Sequence, residues 1–405
     1  MLTNLSDLRE SNEFLNLLLD NINSAVLIAD ENMQIHQFND SFLNLFDRAA
    51  DQLVDSSFGQ IAGCVNAVAE NRSCGETSQC QFCSIRRSLL QTLLDAAPVD
   101  HQRLERRFYI NGKPVTKYLE FSARPIRFQG RRMILVIIYD ITDIETQKRD
   151  LEAKQAQIDH DLEAAAEIQK SLLPHHAPDI PHIHAAWQME SCDRVGGDIF
   201  QIHRTGAEDI GTYILDVCGH GVSAALVAVT VTQFLQGLHN RMRLTGKLFS
   251  PEAVLDRLNK DFPIDRFDCF FTIAYISLNV KTGKLTYSNA GHEAPLILKP
   301  DGTLDVLAHH GTVIGSGFDK AFGQESMHLS PGDRLILYTD GLTDNYGPEG
   351  EREGRQHFYN VLREQVAKPV DDLVQTVFER SRTLRGDVAP NDDMSLVAIE
   401  YAGWP

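Results

Sequence analysis

Short alternating apolar runs separated by polar turns mark the first third of the chain. Residues 25–29 and 33–38 have strand character, and Asp30, Glu31 and Asn32 between them suit a hairpin turn. A Leu-rich helical lead-in precedes this hairpin, and Phe42, Leu45 and Phe46 follow it at helical spacing. Three more strand candidates, 107–110, 118–126 and 132–139, are joined by turns at Asn111-Gly112 and Gln129-Gly130. The order of hairpin, helices and meander predicts an antiparallel sheet with helices on one side, in a domain spanning residues 10–143.

The pattern then changes period. Residues 144–173 lack Gly and are charged, and Ile144, Leu151, Ile158, Ala165 and Leu172 recur every seven positions, with Leu162 and Ile168 adding to a second seam. This spacing predicts a long helix, read first as a parallel coiled coil joining two copies of the chain and second as an amphipathic helix packed on its own domain. Pro174, Pro178 and Pro181 end it. From 182 to 402, strand candidates at 199–203, 212–217, 270–278, 284–288, 295–298, 334–339 and 394–401 mix with helical spacing at 222–238, 251–261, 356–366 and 370–384. A hairpin turn at Lys281-Thr282-Gly283 makes much of the sheet antiparallel. The expected fold is α+β in several domains: an antiparallel sheet with helices, a helical linker, and a C-terminal α/β-layered sandwich.

Composition narrows the function. At 405 residues the chain is long enough for two or three folded units, and 43% hydrophobic with 23% charged residues is the balance of a globular protein. The 38 Lys and Arg against 56 Asp and Glu leave a formal charge of −18, which opposes binding to nucleic acid or to anionic lipid. Apolar runs at 133–139 and 222–235 are too short or too interrupted to span a bilayer, and acidic residues at Asp7, Glu10 and Glu13 do not make a signal peptide. A cytoplasmic location without membrane attachment is expected.

Four aspartates stand out because each lies at a strand end or tight turn beside glycine or another carboxylate: Asp198 after Gly196-Gly197, Asp216 before Val217-Cys218-Gly219-His220-Gly221, Asp340 before Gly341, and Asp392 before Asp393. One such aspartate is commonly just a turn residue. Several clustered carboxylates repel one another unless hard cations neutralise them, which points to Mg²⁺ or Mn²⁺. Zinc is disfavoured there, since no His or Cys pairs with them at ligand spacing.

The ordered set of Ala166-Glu167-Ile168-Gln169, Gly196-Gly197-Asp198, Asp216 through Gly221 with Ser223-Ala224-Ala225-Leu226, Asn289-Ala290-Gly291-His292, Thr339-Asp340-Gly341 and Asn391-Asp392-Asp393-Met394-Ser395 resembles the metal-dependent protein serine/threonine phosphatases of PPM/PP2C type. It is most similar to their bacterial branch in stress-response and sporulation partner switching, over residues 164 to 400. The resemblance implies two Mn²⁺ or Mg²⁺ ions held by Asp198, Asp216, Asp340 and Asp392, with the Val217 carbonyl and Asp393 as further candidates. The ions would share and ionise a water for in-line attack on phosphorus, with no phosphoenzyme. It also implies a phosphorylated STAS-type anti-sigma-factor antagonist as substrate. His220 and His292 are candidates for the acid that protonates the leaving oxygen, and Arg194 for phosphate binding, although structural or surface roles suit all three. Cys218, Gln201 and Glu293 depart from the family's usual residues and bear on substrate preference. In the first region, the hairpin followed by Asn39 and a short helix, and the closing Asp140-Ile141-Thr142-Asp143, resemble a PAS sensor domain.

Other readings compete. The C-terminal domain as a catalytically silent PP2C-like partner switch predicts loss of a ligand aspartate, and all four are present. A sensor histidine kinase would share the first domain and linker, but His160 lacks a phosphoacceptor context and no glycine-rich nucleotide lid follows. Cys64, Cys74, Cys80 and Cys83 fall within a short window in the presumed sensor, spaced for zinc, an iron–sulfur cluster or a redox disulfide, or simply as buried thiols. Arg86 and Arg87 follow them, placed to stabilise thiolate charge or to form a solvated helix face.

Overall fold

Two short alternating runs, β1 (Ala25–Ala29) and β2 (Ile35–Phe38), pair antiparallel, and a meander of β3 (Val99–Ile110), β4 (Lys113–Phe128) and β5 (Arg131–Asp140) follows. The computed structural model describes residues 19, 21–48, 57–128, 130–174, 180–317, 321–345, 351–386 and 388–404. Most of the Leu-rich lead-in, Gln129 and Pro178 lie outside the described residues. The strand order is β2-β1-β5-β4-β3, so the N-terminal hairpin closes against the last strand of the meander. β3 begins eight residues before the expected 107, because Leu104 and Phe108 are its only fully buried core residues while polar and charged residues occupy much of a solvated strand. Asn39 anchors the helix Asp40–Phe46: its Oδ1 accepts from Val26 N at 2.9 Å and Phe42 N at 3.2 Å, and its Nδ2 donates to Leu19 O and Ser24 O. Phe42, Phe46, Phe108 and Phe121 fill the core between these helices and the sheet.

A single helix runs from Thr142 to Leu172, 31 residues, and the chain divides into two compact units within it, Met1–Ala156 and Gln157–Pro405. Ile144, Leu151 and Ile158 are 66%, 68% and 52% exposed, so among the described residues nothing covers this seam fully.

In the second unit, two five-stranded antiparallel sheets stack face to face. One has the order β13 (Glu325–His328), β10 (Lys284–Ala290), β9 (Phe271–Asn279), β8 (Asp209–Val217), β7 (Ile199–Arg204). The other has β12 (Leu304–Val306), β11 (Leu296–Leu298), β14 (Arg334–Tyr338), β15 (Met394–Tyr401), β6 (Ile183–Glu190). Period-two alternation assigns the faces. Ile214, Ile276, Leu337 and Val397 meet between the sheets, while Tyr213, Leu215, Ile273 and Tyr275 face the helices Val222–Thr245 and Pro251–Asp261. Ile336, Leu396 and Ala398 face Glu351–Glu364 and Val370–Arg385 on the opposite side. Helix, sheet, sheet and helix layers result. β6, β12 and β13 are not anticipated by the sequence patterns; their side chains are mixed in polarity, and pairing with a neighbouring strand decides them.

The helix Val222–Thr245 extends past the expected end at 238 and is long and apolar enough to cross a bilayer by length and composition, contrary to the expectation from the shorter run. Its Ala228, Val231, Leu235 and Met242 pack on the first sheet, so it is a core helix of the sandwich.

Candidate functional site

The aspartates lie where strands of the two sheets end. Asp198 immediately precedes β7, Asp216 is the penultimate residue of β8, Asp340 begins the helix Asp340–Asn345 two residues beyond the end of β14, and Asp392 and Asp393 lead into β15. Paired strands hold these ends in register, which is how residues far apart in the chain come to one place.

Asp198 is buried, with its Oδ2 accepting from Thr339 Oγ1 at 2.8 Å and Ser395 Oγ at 2.7 Å. Ser395 N donates in turn to Thr339 Oγ1 at 2.9 Å, so two neighbouring strands orient this one carboxylate. Burial, then the charges of Asp216 and Asp393, push the Asp198 carboxyl well above its ordinary range. Asp216 is pushed up to about 7 by burial and by Asp340, Asp392 and Asp393. Asp340 is pushed up to about 6 by burial and then by Asp392, Asp344 and Glu293. The carboxylates therefore share one electrostatic neighbourhood that favours cation binding. Among the described residues no three His, Cys, Asp or Glu side chains gather into a ready-formed ion site, so the carboxylates face one another without making a finished cage.

Asp393 is engaged with backbone. Its Oδ1 accepts from Cys192 N at 2.9 Å and its Oδ2 from Gly197 N at 2.7 Å, which ties down the turn bearing Asp198. Close approach explains the glycines: a Cβ on Gly196 would lie 2.1 Å from Asp393 Oδ2, one on Gly197 2.7 Å from the Val217 carbonyl, and one on Gly341 2.1 Å from the Asp393 carbonyl. Gly219 and Gly221 adopt φ of 91° and 81° in the loop after Asp216, conformations open chiefly to glycine.

His220 is exposed in that loop. His292 is buried, with Nδ1 2.7 Å from Thr272 Oγ1, and its burial pushes the imidazole down to about 4. A ring kept neutral at pH 7 has no extra proton to give, so His292 fits a structural role. Arg194 pairs with Asp159 at 3.2 Å and Glu163 at 3.2 Å on the long helix, which occupies it away from any phosphate. Glu293 pairs with Arg355 at 2.9 Å. Sequence patterns assign no role to Gln169, yet its buried side-chain amide donates to Gly196 O at 2.7 Å and accepts from Gly196 N at 3.2 Å. Its presence in the Ala166-Glu167-Ile168-Gln169 segment was the only signal that could have marked it.

In the first unit, Cys64, Cys74, Cys80 and Cys83 line one cavity and are all free thiols. Burial raises Cys74. Burial also works against ionisation of Cys80, but hydrogen bonds from Thr77 and Gly75 and the nearby Arg86 outweigh it and hold that thiol below its ordinary range.

Two stacked antiparallel sheets between helical layers, with carboxylates at converging strand ends, define the C-terminal unit as a protein serine/threonine phosphatase domain of the PP2C class. Residues 206–402 match the family described as Stage II sporulation protein E (SpoIIE), and this part of the chain is a SpoIIE-type phosphatase domain. The chain is 26% identical over 256 residues to phosphoserine phosphatase RsbU of Bacillus subtilis (strain 168), a match covering 62% of this chain and 73% of that protein. It is 26% identical over 251 residues to phosphoserine phosphatase RsbP of the same organism, covering 59% of this chain and 57% of RsbP. The SiaA-PP2C domain of Pseudomonas aeruginosa superposes with a TM-score of 0.52 at 20% identity, covering 62% of this chain and 99% of that domain, and shares its fold.

Proposed function

We propose that the protein is a sensor-regulated, metal-dependent protein serine/threonine phosphatase that dephosphorylates a phosphoserine or phosphothreonine on a partner protein. The observation that carries this reading is the set of mutually repelling carboxylates Asp198, Asp216 and Asp340 at converging strand ends. Asp198, Asp216, Asp340 and Asp392, with the Val217 carbonyl, would hold two Mn²⁺ or Mg²⁺ ions. Such ions supply a hydroxide at neutral pH and neutralise the phosphoryl oxygens. The chain's own work is positional: Thr339 and Ser395 orient Asp198, Asp393 holds the Gly196-Gly197 turn, and Gly196, Gly197 and Gly341 let these turns approach Asp393 and the Val217 carbonyl closely. The partner we propose is a phosphorylated STAS-type anti-sigma-factor antagonist, as the motif resemblance to partner-switching phosphatases implies, and likeness to the phosphoserine phosphatases RsbU and RsbP supports a phosphoserine substrate.

The first unit, with its β2-β1-β5-β4-β3 antiparallel sheet and flanking helices, is read as a PAS-like sensor. The helix Thr142–Leu172 is read as a parallel coiled coil in a homodimer, its exposed Ile144, Leu151 and Ile158 forming the seam. The full chain, incubated with a phosphoserine-bearing STAS protein, should release phosphate with Mn²⁺ present and none after chelation. Equal turnover in both conditions, or none in either, would reject the metal-dependent phosphatase.

A further inference from the structure

The cavity in the first unit has a composition that a hydrophobic core does not produce. Apolar side chains such as Met33, Ile85, Leu104 and Phe108 wall it, the four cysteines line it, and so do two arginines, Arg86 and Arg106, while among the described residues no Asp or Glu does. Guanidinium groups at a largely apolar wall need anions for partners. The groups available to supply that charge are the sulfurs themselves: against its burial, thiolates at Cys83, Cys64 and Cys80 would hold the Arg106 guanidinium charged, and Arg86 favours the thiolate of Cys80.

The backbone is shaped to the same sulfurs. Gly75 N donates to Cys80 Sγ at 3.1 Å, and Thr77 Oγ1 lies 2.9 Å from it. A Cβ on Gly59 would lie 2.6 Å from Cys74 Sγ, and one on Gly75, whose φ is +108°, would lie 2.7 Å from Arg86 Nη1. Cys64 precedes the helix Val65–Glu70, Cys80 opens a 3₁₀ turn at Cys80–Phe82, and Cys83 caps the helix Ser84–Asp95, so ordered elements hold three of the four.

Size separates the candidate ligands. A single tetrahedral zinc draws its sulfurs to about 3.8 Å of one another, as metal–sulfur bonds of about 2.3 Å require. Among the described residues no three such ligands converge in that way. Four thiols that line one cavity without forming a single-ion site suit a polynuclear core whose irons would stand between the sulfurs. Charge agrees, since four thiolates and a 2+ core leave two negative charges, which Arg86 and Arg106 match.

We propose that this cavity holds a [4Fe–4S] cluster, bound as a preformed unit by Cys64, Cys74, Cys80 and Cys83, each thiol giving up its proton on ligation. The proposal is independent of the phosphatase reading, because cluster content is measured without reference to turnover. The test is the full chain purified without oxygen, or reconstituted anaerobically with equal amounts of ferrous and ferric iron and with sulfide, and assayed for iron, acid-labile sulfide, zinc and visible absorption. About four irons and four sulfides per chain, with a broad band near 400 nm, are expected. Cys83→Ser should lose the cluster. Because that variant can misfold, Arg106→Gln is the second: with an unchanged circular dichroism spectrum, it should lose its visible band in air about tenfold faster than wild type. One zinc per chain without sulfide, a disulfide among the four cysteines, or four freely titrating thiols after reconstitution would each overturn the assignment, as would an Arg106→Gln variant that bleaches at the wild-type rate.

Discussion

Asp216 illustrates how one side chain carries two opposing effects. Its carboxyl is half-buried among Asp340, Asp392 and Asp393, so each added negative charge destabilises the fold while making the site a better cation trap. Asp216→Asn keeps the volume and removes the charge. It should reduce Mn²⁺-dependent phosphatase activity roughly a hundredfold or more, since a presumed ligand is lost rather than a supporting group. In chelator the same variant should be more stable than wild type by about 1 kcal/mol, because it relieves the burial of a charge and then its repulsion by Asp340, Asp392 and Asp393, and calorimetry with and without Mn²⁺ checks both signs. A variant less stable than wild type in chelator would show that these charges do not repel as described. Gln169 acts at the same scale through a paired amide contact with Gly196. Gln169→Ala leaves buried backbone groups unpartnered at a cost of about 1–3 kcal/mol and should lower kcat at least ~tenfold at saturating Mn²⁺ while the folded spectrum persists. An unaltered kcat would reduce this contact to packing.

At the scale of elements, the helix Val222–Thr245 and the sheet beneath it enclose a histidine pair. His203 on β7 stacks on His239 of that helix with ring centroids 3.4 Å apart, and His239 Nε2 lies 2.9 Å from Tyr275 Oη on β9. Burial pushes His239 down to about 3, and burial with the neighbouring His239 pushes His203 well below its ordinary range. The sign follows from proton uptake. Below about pH 6.5 the unfolded chain binds protons that the native rings refuse, so this contribution is fully present above that pH and is lost as pH falls towards 3. Urea unfolding of wild type at pH 7.5 and pH 5.0 should show a loss on the order of 1 kcal/mol per pH unit from these rings. The aspartates raised by burial titrate with the opposite sign in the same range, so the comparison is made against His239→Phe, whose stability should fall less between the two pH values. Equal falls in both proteins would contradict a neutral buried pair.

For the whole molecule, the helix Thr142–Leu172 is the continuous element joining sequence assigned to both compact units. Its seam residues Leu151 and Ile158 are exposed, and the proposed coiled coil would cover them with a second copy of the chain. Replacing both with Lys should give monomers by light scattering and a phosphatase that no longer responds to the first unit. A monomeric wild type, or a variant that stays dimeric and normally regulated, would refute the coiled-coil reading. The alternation of strands and helices, the strand spans 25–29, 199–203 and 394–401, and every aspartate at the site could be read from the sequence, because period-two patterning and Asp beside Gly at a strand end are local signals. The long reach of β3, the strands β6, β12 and β13, and the extension of the core helix to Thr245 could not, since neighbouring elements determine which of their mixed residues are covered. Residue types alone also left Asp393 as a candidate ligand and Gln169 without a role. Only the tertiary structure set Asp393 against the amides of Cys192 and Gly197, and Gln169 against Gly196, because hydrogen bonds between residues 196 and 393 or 169 and 196 depend on where separate strands and a helix end in space. The sequence determined which chemical groups were available and the local periods that made strands and helices; packing decided which carboxylates share a neighbourhood, which are spent on holding the backbone, and that four cysteines and two arginines line a single cavity.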